Sequence, residues 1–269
     1  MELWMIKFAE IVRDDPTKNV PDSIFSKLGM QLHRRDQHPL GILKNAIYDY
    51  FDTNYPNKFD KFDDLCPVVS TIANFDDVLV AADHVSRSYN DTYYVDSETV
   101  WRCHTSAHQA QLLRGGHTHF LVTGDVYRRD SIDSTHYPVF HQMEGVRVFT
   151  PANWKASGND ATSYAVEDLK KCLEGSSSSD ILYRNSNISM ILQYPPCYKD
   201  MSFWISDSFT ENNLCEVVRG IAGDLVEEVK LIDNFTNKKG MTSHCYRIAY
   251  RSMERSLTDE EINDLQVDH

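Results

Sequence analysis

Long apolar runs are missing from this sequence. Nothing in its 269 residues approaches the roughly 18 consecutive apolar positions of a membrane-spanning helix, which excludes a helical membrane protein. Paired cysteines are missing too. Cys66, Cys103, Cys172, Cys197, Cys215 and Cys245 are scattered without a Cys-x-x-Cys, and read as reduced core thiols of a reducing compartment. In such a compartment the sequons at Asn90, Asn187 and Asn234 are chance matches. Positive charge is scarce: 27 Lys and Arg face 40 Asp and Glu, for a formal net charge of -13. That balance excludes holding nucleic acid by bulk charge, although a local basic surface can sit on an acidic body. The opening residues are acidic and resemble neither a secretory signal nor an Arg/Ser-rich transit peptide. The expectation is a chain that stays where it is made, or one whose targeting segment lies outside this sequence. What remains is ordinary: 41% hydrophobic and 25% charged residues suit one large globular domain or two of usual size.

The periodicities divide the chain in two. Residues 38–51 place Leu40, Leu43, Ile47, Tyr50 and Phe51 on one helical face. Residues 75–80 and 92–95 read as short strands, and 105–113 as a helix capped by Ser106. Residues 120–128 and 138–149 suit the two strands of a hairpin joined by the polar loop 129–137, and a helix follows at 164–173. The joint Gly175-Ser-Ser-Ser-Ser-Asp180 has nothing to bury. From Tyr194 a second unit reads strand 202–205, helix 212–222, strands 226–232 and 245–251. Thr258-Asp-Glu-Glu261 then opens a last helix with a cap residue and an acidic first turn. The order β-α-β-β-α is that of a ferredoxin-like split lacking its last strand.

Chemistry concentrates between residues 102 and 145, which hold six of the eleven histidines. His104 and His108 have the i, i+4 spacing of zinc ligands, and His117-x-His119 is a further candidate pair. Neither is accompanied by the Glu or Cys set that a zinc site needs, so no metal site is expected. Ser106 beside histidines is not read as a hydrolase nucleophile, because the chain has no Gly-x-Ser-x-Gly elbow. Arg128 and Arg129 end a strand, where an arginine can grip a phosphate bidentately. His136 can share the remaining charge, and Phe140 offers a flat face to a base. Gln142 and Glu144 alternate with Met143 on the return strand and so share a face, where a carboxylate suits a ligand ammonium. The residues describe a site for a nucleotide together with an amino acid.

Gly124-Asp-Val-Tyr-Arg-Arg-Asp130 through His141-Gln-Met-Glu-Gly145 resembles motif 2 of phenylalanyl-tRNA synthetases, class II enzymes. His104-Thr-Ser-Ala-His-Gln109 is similar to the helix start that precedes it. The likeness is to the single-chain organellar form, particularly that of plants. The resemblance implies an α+β fold: an incomplete class II antiparallel sheet with helices over residues 1–175, a linker at 176–193, and a ferredoxin-fold anticodon-binding domain at 194–269, truncated at its C-terminus. It implies ATP-dependent activation of phenylalanine and transfer to tRNA(Phe), with Mg²⁺, by a monomer in mitochondrion or chloroplast. Arg128 would hold the ATP α-phosphate and act catalytically, with Asp130, Thr135, His136, Tyr137 and Phe140 around the nucleotide. His104, Ser106, Ala107, His108, Gln109, Gln142, Met143 and Glu144 would surround phenylalanine.

The family continues beyond Leu173-Glu174-Gly175 through a block holding further strands, the aromatic wall of the phenylalanine pocket and motif 3, whose arginine clamps the γ-phosphate. Residues 176–192 stand in its place here. The loss of those strands predicts an open sheet edge and an uncovered apolar face, and leaves a second reading: a catalytically impaired form retaining tRNA binding. For tRNA itself, Lys238, Lys239, Arg247 and Arg251 form a local basic strip in a second unit of eight Lys/Arg and fourteen Asp/Glu.

Overall fold

A computed structural model of the chain describes residues 15–133, 136–176, 194–252 and 254–267. The first unit opens with a helical turn, α1 (Asp22–Phe25), and a long helix, α2 (Pro39–Asn54). Then come β1 (Asp60–Phe62), β2 (Val68–Ser70), the one-turn α3 (Thr71–Asn74) and β3 (Thr99–Trp101). A 3-10 turn, Thr105–His108, runs into α4 (Gln109–Arg114), followed by β4 (His119–Tyr127), β5 (Val139–Arg147), α5 (Pro151–Ala156) and α6 (Ala161–Ser176). The second unit comprises β6 (Cys197–Trp204), α7 (Glu211–Ala222), β7 (Val226–Thr236), β8 (Thr242–Tyr250) and α8 (Asp259–Val267).

β4 is the spine of the first unit. Phe120 to Tyr127 are buried without interruption, as an inner strand covered on both faces should be. β5 pairs with it antiparallel in a register that sets Val126 opposite Phe140, Gly124 opposite Gln142 and Val122 opposite Glu144. The short β1 adds a parallel neighbour on β4's other side, with Asp60 opposite Phe120. Behind this sheet α2 presses Tyr48 and Phe51 onto Leu121 and Cys172, with Ile47 and Met143 packed against them. Pro39 at its first turn and His38, whose Nδ1 accepts from the Leu40 amide at 3.2 Å, start the helix. Among the described residues β5 has no strand on its outer side, and most of it is half-exposed. The expected open edge is present.

Some sequence expectations for this unit need correction. Residues 75–80 are not a strand: α3 and a 3-10 turn at Asp76–Val78 lead to Leu79 in the left-handed region. Phe75 is pinned in a cluster with Tyr94 and Val100, while Asp76 and Asp77 turn outward to Arg87 and Arg114. A short apolar run anchored at one residue is compatible with either structure. Residues 92–95 are not a strand: among the described residues they contribute one bridge, Tyr94 to Val100, with bends at Thr92 and Val95. Ser106 does not cap the following helix; its hydroxyl is used elsewhere, as described below.

The second unit follows the expected β-α-β-β-α order, with strands β6-β8-β7 all antiparallel. One face of this sheet packs Tyr246, Ile248 and Tyr250 against Cys215, Val218 and Ala222 of α7 and Ile262 of α8. Thr258 and Glu261 form the anticipated cap, each accepting the other's backbone N–H at 3.3 and 2.9 Å. The opposite face carries exposed Tyr198, Trp204 and Phe235. One residue of the first unit, Ile132, is also buried in this second core.

Candidate active site

The pleat of the β4–β5 ribbon decides which side chains meet. Phe140, Gln142 and Glu144 lie on one face by strand alternation, and the 3-10 turn after β3 sits over that face. Gln142 Oε1 accepts the Thr105 backbone N–H at 3.3 Å. Glu144 takes two donors, Ser106 Oγ at 2.6 Å and Gln109 Nε2 at 3.3 Å. A recess of about 390 Å³ opens here, lined by His104, Thr105, Ser106, His141 and the stretch Gln142, Met143 and Glu144. Arg128 stands at the end of β4 with its Nε donating to the Cys103 carbonyl at 2.8 Å. Its guanidinium carbon lies 5.0 Å from the centre of the Phe140 ring, a cation–π distance. The guanidinium is held through Nε against Phe140, and among the described residues its two Nη groups make no hydrogen bond. A fixed carboxylate and a fixed guanidinium thus lie along one face, suited to an ammonium and a phosphate respectively.

Support comes from a buried arginine that motif reading passed over. Arg102, 1% exposed, donates from Nε to the Asp125 carbonyl at 2.7 Å and from Nη2 to the Asp125 carboxylate at 3.1 Å. It also reaches His108 Nε2 at 2.9 Å. Arginine is a donor only, so His108 accepts at Nε2 and is neutral. Burial and the adjacent Arg102 charge agree, holding its pKa down to about 4. A Cβ on Gly124 would meet Arg102 Nη2 at 1.9 Å, so the absent side chain is what lets the guanidinium pass beneath the ribbon. The presence of Gly inside a strand is a known sign of such close approach, and was the available signal.

The predicted residues divide accordingly. His104, Ser106, Gln109, Gln142 and Glu144 are brought together at the recess; burial, with the Arg128 charge, lowers the His104 pKa. His108 is not among them: it turns inward to Arg102 and supports the turn from below. Ala107 is buried, and Met143 packs largely behind the sheet. Arg128 and Phe140 form the stacked pair. Asp130 follows on the loop, where its carbonyl accepts from Arg219 at 3.0 Å. His136 is held to Asp133 at 2.7 Å, a bond that raises its pKa. Tyr137 donates to Asp224 at 2.6 Å and accepts from Lys27 at 2.7 Å. Thr135 lies outside the described residues. No group of three or more His, Cys, Asp or Glu able to hold a metal occurs among the described residues.

The basic strip needs correction as well. Arg247 is paired bidentately with Asp200 at 2.7 and 2.8 Å. Arg251 lies past the end of β8 and turns to Glu227 at 2.8 Å. Lys238 and Lys239 occupy the exposed β7–β8 turn. The charges expected together are therefore separated and partly neutralised. Sequence reading missed the aromatic side chains on the open face, Tyr198, Trp204 and Phe235; for Tyr198 and Trp204 the signal was alternation with half-buried neighbours, and Phe235, in an exposed stretch of β7, gave none.

Comparison with known proteins bears on this geometry. Residues 25–156 match the family of class II tRNA synthetase core domains (F), and residues 193–268 match the ferredoxin-fold anticodon binding domain. The chain is 58% identical to the chloroplastic/mitochondrial phenylalanine–tRNA ligase of Arabidopsis thaliana, over 96% of this chain and 81% of the relative. The chain belongs to the organellar phenylalanine–tRNA ligase family. More distant ligases of the family include the mitochondrial proteins of Dictyostelium discoideum, at 34% identity over 92% of this chain and 86% of the relative, and of Mus musculus, at 32% over 94% and 83%. The alignment with the Arabidopsis ligase spans 348 positions. At least 79 of them (348 less this chain's 269) have no residue here.

Proposed function

We propose that this chain activates phenylalanine with ATP and transfers it to tRNA(Phe) in mitochondrion or chloroplast, acting as a monomer. The observation that carries the reading is the shared face on which Glu144, held by Ser106 and Gln109, lies along the ribbon from Arg128 stacked on Phe140. Glu144 and Gln142 receive the phenylalanine ammonium, with Ser106, Gln109 and His104 around it. Phe140 takes the adenine, and Arg128 the α-phosphate, with Asp130 and His136 on the loop beside it. The phenylalanine carboxylate oxygen attacks the α-phosphorus in line, and the bond to the leaving pyrophosphate breaks. No side chain has to remove a proton. Arg128 stabilises charge as it develops on the phosphoryl oxygens. A ribose hydroxyl of the tRNA then attacks the activated carbonyl and AMP leaves.

Class II synthetases use Mg²⁺ with ATP, but the described residues offer no carboxylate cage for it. The ion belongs with the nucleotide's own phosphates, and no step here is assigned to it. The catalytic portion is placed at 1–175, the linker that replaces the motif 3 block at 176–193 and the anticodon-binding domain at 194–269. For tRNA, the open face of β6–β8–β7 is the better surface, because exposed Trp204, Tyr198 and Phe235 can stack on bases beside Arg247.

The test is phenylalanine-dependent exchange of labelled pyrophosphate into ATP. Exchange is expected with phenylalanine and absent with leucine. A chain that binds tRNA(Phe) but shows no exchange would overturn the catalytic reading.

A further inference from the structure

Arg129, Asp130 and Ile132, which follow Arg128, are held by the second unit as well as by the Tyr89 and Asp91 carbonyls of the first, both of which accept from Arg129. Ile132 is 5% exposed and its side chain is inserted among Cys215, Val218, Val229 and Tyr246. Its carbonyl accepts the Val229 amide of β7 at 2.8 Å. On either side, Asn212 Nδ2 donates to the Arg129 carbonyl at 2.8 Å and Arg219 Nη2 to the Asp130 carbonyl at 3.0 Å. Arg129 itself is buried and reaches Asn213 Oδ1 at 3.1 Å. Asn212 also donates to the Asn90 carbonyl at 2.6 Å, tying α7 to the first unit beneath the loop. The backbone carbonyls of 129, 130 and 132 are thus each satisfied by the second unit.

A loop of this polarity would ordinarily be mobile and solvated. Here its backbone is fixed one and two residues after Arg128. Arg128 has to be held to within fractions of an ångström for its guanidinium to meet a phosphate. The phenylalanine recess differs: Ser106, Gln142 and Glu144 sit on a turn and a strand that do not touch the second unit in this way.

We propose that the anticodon-binding unit forms part of the nucleotide site, with Ile132, Asn212 and Arg219 as positioning residues that hold Arg128 and Asp130 in ATP-binding geometry. The inference rests on the nucleotide assignment made above. Its distinctive consequence is a split: loosening the clamp weakens ATP and spares phenylalanine.

The experiment uses the full chain and the variants Ile132→Ala, Asn212→Ala and Ile262→Ala. Ile262 is fully buried in the same core, lies on α8, and makes none of the described hydrogen bonds to residues 129, 130 and 132. Equilibrium dialysis gives Kd for labelled ATP and labelled phenylalanine, and amide hydrogen exchange follows the loop and Val229. I132A and N212A are expected to raise Kd for ATP about tenfold, a loss of about 1.4 kcal/mol, with phenylalanine unchanged within about twofold. The loop and Val229 amides should exchange faster. I262A should lower Tm with ATP binding unchanged. An unaltered ATP Kd despite faster loop exchange would overturn the proposal, as would an equal loss in I262A. A wild-type chain that binds ATP without exchanging pyrophosphate defeats the catalytic reading alone, and the Kd comparison still decides the clamp. A wild-type chain that binds no ATP defeats both.

Discussion

Glu144 shows how much one side chain can be asked to do. It accepts hydrogen bonds from Ser106 and Gln109, which orient its carboxylate without neutralising it. Glu144→Gln keeps the shape and removes the charge. A hydrogen bond to a charged group contributes about 1.5–3 kcal/mol, so KM for phenylalanine in the exchange assay should rise roughly ten- to hundredfold, with KM for ATP little changed. His108 makes a different prediction. The unfolded histidine gains its proton below its ordinary value of 6.5, the folded one only near 4. Between those values the unfolded chain binds more protons, so stability rises with pH. The contribution is fully present above about 6.5, is lost as pH falls to about 4, and amounts to about 3 kcal/mol. Half-buried His141, pushed down to about 4 as well, acts in the same sense. Urea melts from pH 4 to 7 should show this slope, and His108→Gln, which can still accept from Arg102, should reduce it. At this scale the alternation of the return strand put Gln142 and Glu144 on one face, as the structure has them, but did not show the inward turn of His108. A histidine four residues from another reads identically whether it faces a ligand or a buried arginine.

The ribbon is the element on which the site depends, and its two strands were legible because alternating residues, a polar loop and a Pro-led return are local signals. Its internal glycine adds a prediction. Arg102 is locked by Asp125 and His108 and cannot yield to a Cβ at 1.9 Å. Gly124→Ala should therefore break a buried charge network, at a cost of about 3–5 kcal/mol, and lower Tm by roughly 10 °C. Gly145→Ala, whose Cβ meets only Leu121 Cδ2 at 3.2 Å, should be nearly neutral by the same thermal melt. β5 itself makes a second prediction. With pairing on one side only among the described residues, its outward amides should exchange much faster than those of β4, which should share the highest protection in the unit. Uniform protection along β5 would mean that something pairs with its edge. The segment 75–80 was misread because six residues, two of them aspartates, are too few to carry a period of their own; Phe75 is anchored against Tyr94 and Val100 and the chain turns there.

For the molecule as a whole, the comparison with the Arabidopsis ligase sets a quantitative expectation. If the positions absent here include the arginine expected on the γ-phosphate, one charge-assisted contact is lost. KM for ATP in pyrophosphate exchange should then lie roughly ten- to hundredfold above that of the longer relative; if they also include the aromatic wall expected around phenylalanine, KM for phenylalanine should rise as well. Most of the elements, the β-α-β-β-α order of the second unit and the two strands of the ribbon followed from the sequence alone, because period, spacing and turn chemistry act over a few residues. The tertiary structure decided the rest. Arg102 beneath Gly124, the inward turn of His108, the pairing of Arg247 with Asp200 and the seating of Ile132 in the second core all join residues up to about a hundred positions apart. Whether such a residue faces a ligand, a buried counter-charge or another domain depends on what the folded chain brings against it, and no local pattern encodes that.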